Sequence, residues 1–200
     1  MKKKLLRISG RLLCAAILTS GLIGCDEDEA LFSPKPKGYV RIDFPKKEYV
    51  LYDNSCPYSF EIPKYSVPVY DKRADADPCW FNLQFPQFKA TLHFSYKIVN
   101  DNLNDYLNDS HDFAIRHEIK ATGIEQLPVI RDSARVYGLI FDIGGNTASS
   151  VQFYLTDSTR HFLRGALYFN STPNIDSLKI VVDFIKQDIM HLVQTTRWKN

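Results

Sequence analysis

The chain has 200 residues, with 25 basic and 23 acidic side chains and a formal charge of +2. Five basic and no acidic residues lie in the first 24 positions, so the remainder holds 20 basic and 23 acidic residues and carries a charge of −3. This balance leaves no basic stripe for nucleic acid, and a remainder of about 175 residues predicts a single domain with one core.

The first 24 residues have the three parts of a bacterial export signal. A basic start precedes the apolar run from Leu12 to Ile23. That run is too short to cross a bilayer, because a spanning helix needs about 20 apolar residues. It ends in Leu22-Ile23-Gly24-Cys25, the aliphatic, variable, small and cysteine order of a lipobox. We therefore expect cleavage after Gly24 and a lipid thioether at Cys25, and an ordinary signal peptide with an accidental cysteine is the alternative.

Residues 25–37 have the composition of a tether. Asp26 to Glu29 is an unbroken acidic run, and Ser33 to Gly38 is rich in proline and lysine. Charge repulsion and proline both favour an extended chain. The sequence thus predicts a signal peptide at 1–24, a lipidated tether at 25–37 and one globular domain at 38–200.

The acidic run also bears on location. It is a solvated spacer in the simplest interpretation, but it resembles the signals that Bacteroidetes place beside a lipidated cysteine to reach the outer leaflet. In proteobacteria an aspartate here would instead indicate retention at the inner membrane. We expect a lipoprotein outside the cytoplasm, at the outer membrane, with the outer face of the cytoplasmic membrane as the alternative.

The four cysteines separate into distinct roles. Cys14 leaves with the signal and Cys25 carries the lipid, so Cys56 and Cys79 remain. An oxidising compartment favours a disulfide between these two, which would stabilise the fold by about 3 kcal/mol on a loop-entropy argument. Two separate buried thiols are the alternative. Zinc is disfavoured because neither cysteine has a second ligand nearby in the sequence.

Residues 38–70 alternate β-branched and aromatic side chains with prolines. Proline confines such segments to sheet edges or irregular extended runs. We expect an aromatic-rich strap laid over the domain.

More regular patterns follow. The segments Cys79–Phe85 and Lys89–Val99 read as strands, and the second has one apolar face and one wetter face that includes His93. This alternation is typical of an antiparallel sheet packed on one side. Apolar residues from Leu103 to His117 then follow helical spacing, with Asp101 or Asn102 available as the N-cap.

Three more strands and a long helix complete the chain. The predicted strands are Ser133–Ile143, Ser149–Thr156 and His161–Asn170, and their short connections make them antiparallel neighbours. A broad apolar stripe from Leu178 to Val193 predicts the last helix, and Thr172-Pro173 would begin it. The fold class is therefore α+β, an antiparallel sheet with two packed helices, similar in element order to the Mog1/PsbP-like α-β-α sandwich.

No local pattern indicates catalysis, a metal or a cofactor. The chain has no Gly-x-Ser-x-Gly elbow, and Gly144-Gly145-Asn146 lacks the lysine and helix of a phosphate loop. His111 and His117 are six residues apart, about 240° around a helix, whereas a zinc pair needs a spacing of four. His93 and His161 have no partner visible in the sequence.

Three sites match the Asp-Ser acceptor pattern of Bacteroidetes O-glycosylation. The acceptor side chains are Ser133, Ser158 and Ser177. We expect one or two of them to be modified.

Three proline- and aromatic-rich blocks make the chain recognisable. They are PKPKGYVRIDFP at 34–45, CPYSFEIP at 56–63 and CWFNLQFP at 79–86. Together they resemble the GldD family of gliding-motility lipoproteins of Bacteroidetes, and the similarity extends through the 102–122 helix and the later strands. The resemblance implies a non-enzymatic role in gliding and in the associated type IX secretion machinery, with envelope proteins of that machinery as partners and no catalytic residues.

Two other functions stay open. A glycan- or ligand-binding lipoprotein would use exposed aromatic side chains grouped in a concave surface, for which the candidates are Tyr39, Tyr52, Tyr58, Trp80 and Trp198. A hydrolase with a site assembled from distant residues would need a serine–histidine or carboxylate pair in a cleft.

Overall fold

The computed structural model of the protein describes residues 42–70, 77–170 and 175–199, without the side chains of 175–177. Two compact units divide the chain at residues 39 and 40, and every described residue belongs to the second unit. The signal peptide, Cys25 and the tether lie outside the described residues, so their boundaries stay predictions. No helix of the described part is long and apolar enough to span a bilayer.

The described elements alternate short strands with two helices. In chain order they are β1 (Tyr49–Asp53), β2 (Tyr58–Pro63), β3 (Val67–Tyr70), β4 (Phe81–Phe85), β5 (Ala90–Ile98), α1 (Leu103–Ile115), β6 (Ala121–Arg131), β7 (Val136–Gly145), β8 (Ser149–Thr156), β9 (His161–Phe169), α2 (Ile175–Thr195) and β10 (Arg197–Trp198).

The strands form two antiparallel sheets. The larger has the order β3-β4-β5-β9-β8-β7-β6, and the smaller has the order β1-β2-β10. The smaller sheet and α2 contribute to the main core on one face of the larger sheet, and α1 packs on its other face. The architecture is therefore the predicted α+β class, with an antiparallel sheet and two packed helices.

Alternation along the strands assigns each side chain to a face. In β9, Leu163 and Leu167 enter the main core, whereas Phe162 and Arg164 point to the side of α1. In β5, Phe94 belongs to the main core and His93 is exposed on the opposite side. This opposition is the two-residue period of a strand.

The main core is rich in stacked aromatic rings. The rings of Phe81 and Phe94 lie 4.4 Å apart, and Tyr58 and Phe60 of β2 are fully buried beside them. Such pairs stabilise a fold beyond the area that they remove from water. The ring of Phe153 lies against Gly165, where an added Cβ would come within 2.3 Å of it, so the close packing requires glycine there.

The predicted strap is part of the core. Residues 42–63 supply β1 and β2, and the two largest side chains of β2 are among the most buried in the domain. Asp188 of α2 also holds this segment, because its buried carboxylate accepts from Lys47 Nζ at 2.7 Å and from the Tyr49 hydroxyl at 3.0 Å. The segment is thus fastened by both packing and charge.

The predicted strand Ser133–Ile143 was wrong at its start. Asp132 to Ala134 form a 3-10 turn, and β7 begins only at Val136. Arg135 between them has φ of 49°, a left-handed conformation that interrupts the strand.

β6 and β10 were not predicted, whereas β3 falls within residues 38–70, for which edge or irregular extended segments were expected. β6 lies at the edge of the large sheet and contains Gly123 and Pro128, and β3 lies at the other edge with Pro68. Edge strands are exposed on much of both faces, so they lack the alternating pattern that reveals a strand in sequence. The N-cap of α1 is Asn102, one of the two candidates, but its side chain makes no capping hydrogen bond.

Candidate functional site

A cleft lies beside α1, over a part of the large sheet that this helix does not cover. Ala114 of α1 packs with Phe141 and Ile143 of β7, and the helix also contacts β8 and β9. Strands β4 and β5 extend beyond the helix, where their side chains Asn82 and His93 face the opening. The result is a cleft of about 700 Å³, within the size range of small-molecule sites.

Aromatic side chains form the walls of the cleft. Trp80 stands at the β4 side, and Tyr106 and Phe113 come from α1. The ring of Tyr106 lies 5.3 Å from that of Phe162 on β9. Trp80 is held by its indole nitrogen, which donates to the carbonyl of Tyr96 at 2.9 Å.

Polar side chains of three neighbouring strands form the floor. Arg164 of β9 donates from Nη2 to Gln152 Oε1 at 2.5 Å, and its guanidinium lies 4.7 Å from the centre of the Phe113 ring. Burial lowers the pKa of Arg164 from its ordinary value, although the group stays charged at neutral pH. The floor therefore holds a half-buried positive charge.

The other floor groups are held by neighbours. Lys97 Nζ pairs with Asp77 at 2.5 Å and lies 4.8 Å from the centre of the Trp80 ring. His93 Nδ1 and Asn82 Oδ1 are 2.6 Å apart. These bonds preorganise the floor, because each side chain is fixed before any ligand arrives.

Two histidines without a partner visible in the sequence have hydrogen-bond partners in the structure. His93 bonds to Asn82, and His161 Nδ1 lies 2.8 Å from the Tyr96 hydroxyl. The ring of His161 also stacks on Trp198 at 5.1 Å. The expectation failed because these partners come from other strands. Among the described residues no group of three or more metal-ligating side chains occurs.

The structure brings together one pair of the other predicted site residues. Cys56 and Cys79 are joined as a disulfide with Cα atoms 5.6 Å apart, which ties β2 to the start of β4. Ser133 and Ser158 are exposed in turns, and the side chain of Ser177 and all of Cys25 lie outside the described residues. Lipidation and glycosylation stay predictions.

The four candidate aromatics for sugar stacking that the structure describes do not form one surface. Tyr58 is fully buried, Tyr52 stacks on Phe81 at 4.8 Å, and Trp198 packs on a histidine. Tyr39 lies outside the described residues, and of the other four only Trp80 lines the cleft. The remaining wall residues went unnoticed because they are apolar residues of a helix and a strand, a pattern that normally indicates packing.

A second depression, of about 550 Å³, lies beside the turn at residues 144–148 and opens toward Lys179 of α2. Its lining mixes glycine and other small residues of the turn region with apolar side chains such as Ile124 and Leu178. One of its three acids, Asp142, is paired with Lys186. The cleft beside α1 is the better candidate for recognition, because it combines aromatic walls with a half-buried arginine.

Comparison with known proteins identifies the family. The family profile described as gliding motility lipoprotein GldD matches residues 29–198. The chain belongs to this family. Membership in the GldD family agrees with the three motif blocks and makes the protein a lipoprotein associated with gliding motility.

Two further comparisons concern curated proteins and solved structures. No curated protein matches the sequence. Among solved structures, the chain is similar to the solution structure of cyanobacterial PsbP (CyanoP) from Synechocystis sp. PCC 6803, with 12% identity, a TM-score of 0.46, and coverage of 80% of this chain and 97% of that one.

Proposed function

We propose that the protein is a non-enzymatic envelope lipoprotein that assembles with, or stabilises, the gliding machinery and its type IX secretion apparatus. The family match over residues 29–198 is the observation that carries this proposal. The lipid at Cys25 would hold the domain at the membrane, and the acidic tether beside it favours the outer membrane.

The packing of the domain supports a role in binding rather than in catalysis. Two buried carboxylates have structural roles: Asp188 holds the N-terminal strands, and Asp157 organises a turn through three backbone N–H groups. His191 and Glu61 join α2 to β2, with 2.6 Å between Nε2 and Oε2. These groups are committed to holding the fold together.

The test is deletion of the corresponding gene in a gliding relative. We expect colony spreading to be lost and the delivery of surface adhesins to fall, with both restored by a plasmid-borne copy. Normal spreading together with normal secretion of adhesins in the deletion strain would contradict the proposal. Loss of spreading with normal secretion would limit the role to the gliding machinery.

A further inference from the structure

We propose that the cleft beside α1 binds a small organic oxyanion, a carboxylate or phosphate carried on an aromatic group, with Arg164 as its anchor. This proposal goes beyond the motility role and does not depend on it. It rests on the charge of the floor, the shape of the walls and the size of the cleft.

The first argument is the state of Arg164. A guanidinium has five N–H donors, yet the described hydrogen bond of this group goes to the neutral amide oxygen of Gln152. Among the described residues no carboxylate forms an ion pair with it. A charge that is partly removed from water is unfavourable without a counter-ion, so the cleft favours an anion here.

The second argument is the geometry of the guanidinium. Its planar fork matches the two oxygens of a carboxylate or phosphate, and paired bonds of this kind are stronger than neutral ones. Because Arg164 is held between Gln152 and the Phe113 ring, its orientation is set in advance. A ligand would lose little free energy in ordering it.

The third argument is the surrounding charge. Arg116 lies 5.3 Å from the same Phe113 ring, so a second cation stands beside this wall of the cleft. Lys97 is neutralised by Asp77, so it adds little. Asp109, on the wall formed by α1, is the opposing charge.

The fourth argument is the apolar wall. Trp80, Tyr106 and Phe113 present ring surfaces around the polar floor. An aromatic group can stack on such surfaces while its anionic end reaches Arg164. The cleft of about 700 Å³ is the size of a small molecule.

The test uses the full-length lipidated protein in a nonionic detergent. The probes are 3-phenylpropanoate, phenyl phosphate and the uncharged 3-phenylpropanamide. Trp80 reports binding by fluorescence in a Trp198→Phe background, since these are the two tryptophans of the chain. We expect both anions to bind about tenfold or more tightly than the amide, the ratio typical of a hydrogen bond to a charged group.

Matched variants assign the effect to the anchor. Arg164→Gln should lower the affinity for the anions to that for the amide, and Arg164→Lys should give an intermediate value because it keeps the charge without the fork. Arg160→Gln, which removes an exposed arginine outside the cleft lining, should leave the affinity within about twofold of the parent. Asp109→Asn should strengthen anion binding.

The outcomes separate the possibilities. Preference for phenyl phosphate would assign a phosphate ligand, and preference for 3-phenylpropanoate would assign a carboxylate ligand. Equal binding of the amide and the anions would overturn the proposal, as would the lack of saturable binding. Circular dichroism would show whether Arg164→Gln is folded. If that variant is unfolded, unchanged anion affinity in both Asp109→Asn and Arg164→Lys would also overturn the proposal.

Discussion

Asp188 illustrates how one charged side chain can position a whole segment. Its side chain is 2% exposed and bonds to Lys47 and to the hydroxyls of Tyr49 and Tyr65, all from the N-terminal part of the domain. A buried carboxylate needs such partners because unpaired burial is strongly unfavourable. The contact therefore links α2 to residues more than a hundred positions earlier.

We expect Lys47→Ala to lower the free energy of unfolding by about 3 kcal/mol, because it leaves a buried carboxylate without its cation. Lys46→Ala is the matched control, since the Lys46 side chain is 84% exposed. That control should change the free energy by less than about 0.5 kcal/mol. Urea denaturation of both variants makes the comparison, and equal effects would show that the buried pair contributes nothing specific.

A second residue, Asp157, makes stability depend on pH. Burial alone would raise the pKa of this carboxyl, but backbone N–H bonds from Arg160, His161 and Thr159 outweigh it and hold the pKa well below the usual range. A carboxyl with a depressed pKa in the folded state contributes stability above its unfolded pKa. That contribution is lost as the pH falls toward the folded pKa.

We therefore expect the free energy of unfolding to decrease as the pH falls below about 4, the usual value for aspartate. Asp157→Asn should flatten this decrease, whereas Ser158→Ala, one position away and exposed, should leave it unchanged. Denaturant titrations across this pH window give the slopes. A variant Asp157→Asn with the parental slope would contradict the assignment.

At the scale of elements, the disulfide reinforces a small sheet that is built from short strands. β1 and β2 are strands of five and six residues, and the Cys56–Cys79 bond joins their sheet to β4 across a separation of 23 residues. Closing such an interval restricts the unfolded chain. The Tyr58 hydroxyl also donates to the carbonyl of Cys79 at 2.7 Å, next to the bond.

We expect replacement of both Cys56 and Cys79 by serine to reduce the free energy of unfolding by about 3 kcal/mol. Reductant should destabilise the parent protein to a similar extent and leave the double variant unaffected. Thermal unfolding with and without reductant provides the measurement. Protein taken from the envelope that shows two reactive thiols after denaturation would contradict the pairing.

The elements differ in how readily their sequence reveals them. β5, β8 and β9 have neighbours on both sides, so their faces alternate clearly and their bounds were predicted within two residues. β6 was missed because it is an edge strand with proline, β3 was covered only by the general expectation for residues 38–70, and the start of β7 was misplaced because a left-handed residue precedes it. Strand prediction thus fails at the sheet edge and where an unusual backbone conformation interrupts a strand.

At the scale of the whole molecule, the cleft could not be derived from the sequence. Its groups come from α1, β4, β5 and β9, which are distant in the chain and meet only after the sheet forms. The wetter face of β5 was visible, and it does form part of the floor. Arg164 offered a further signal, as a charge between the apolar residues Phe162 and Ala166 on one face of a strand.

The central claim is that an anchored domain of the GldD family serves gliding. The most direct measurement is colony spreading of a gliding relative in which the corresponding gene has been deleted. The strain then carries a plasmid-borne copy of its own gene, with substitutions at the positions equivalent to those named here. Cys14→Ser should restore spreading, because Cys14 lies in the predicted signal peptide, whereas Cys25→Ser should not, because it removes the predicted lipid acceptor. An unlipidated Cys25→Ser protein that restores full spreading at equal abundance would contradict the account.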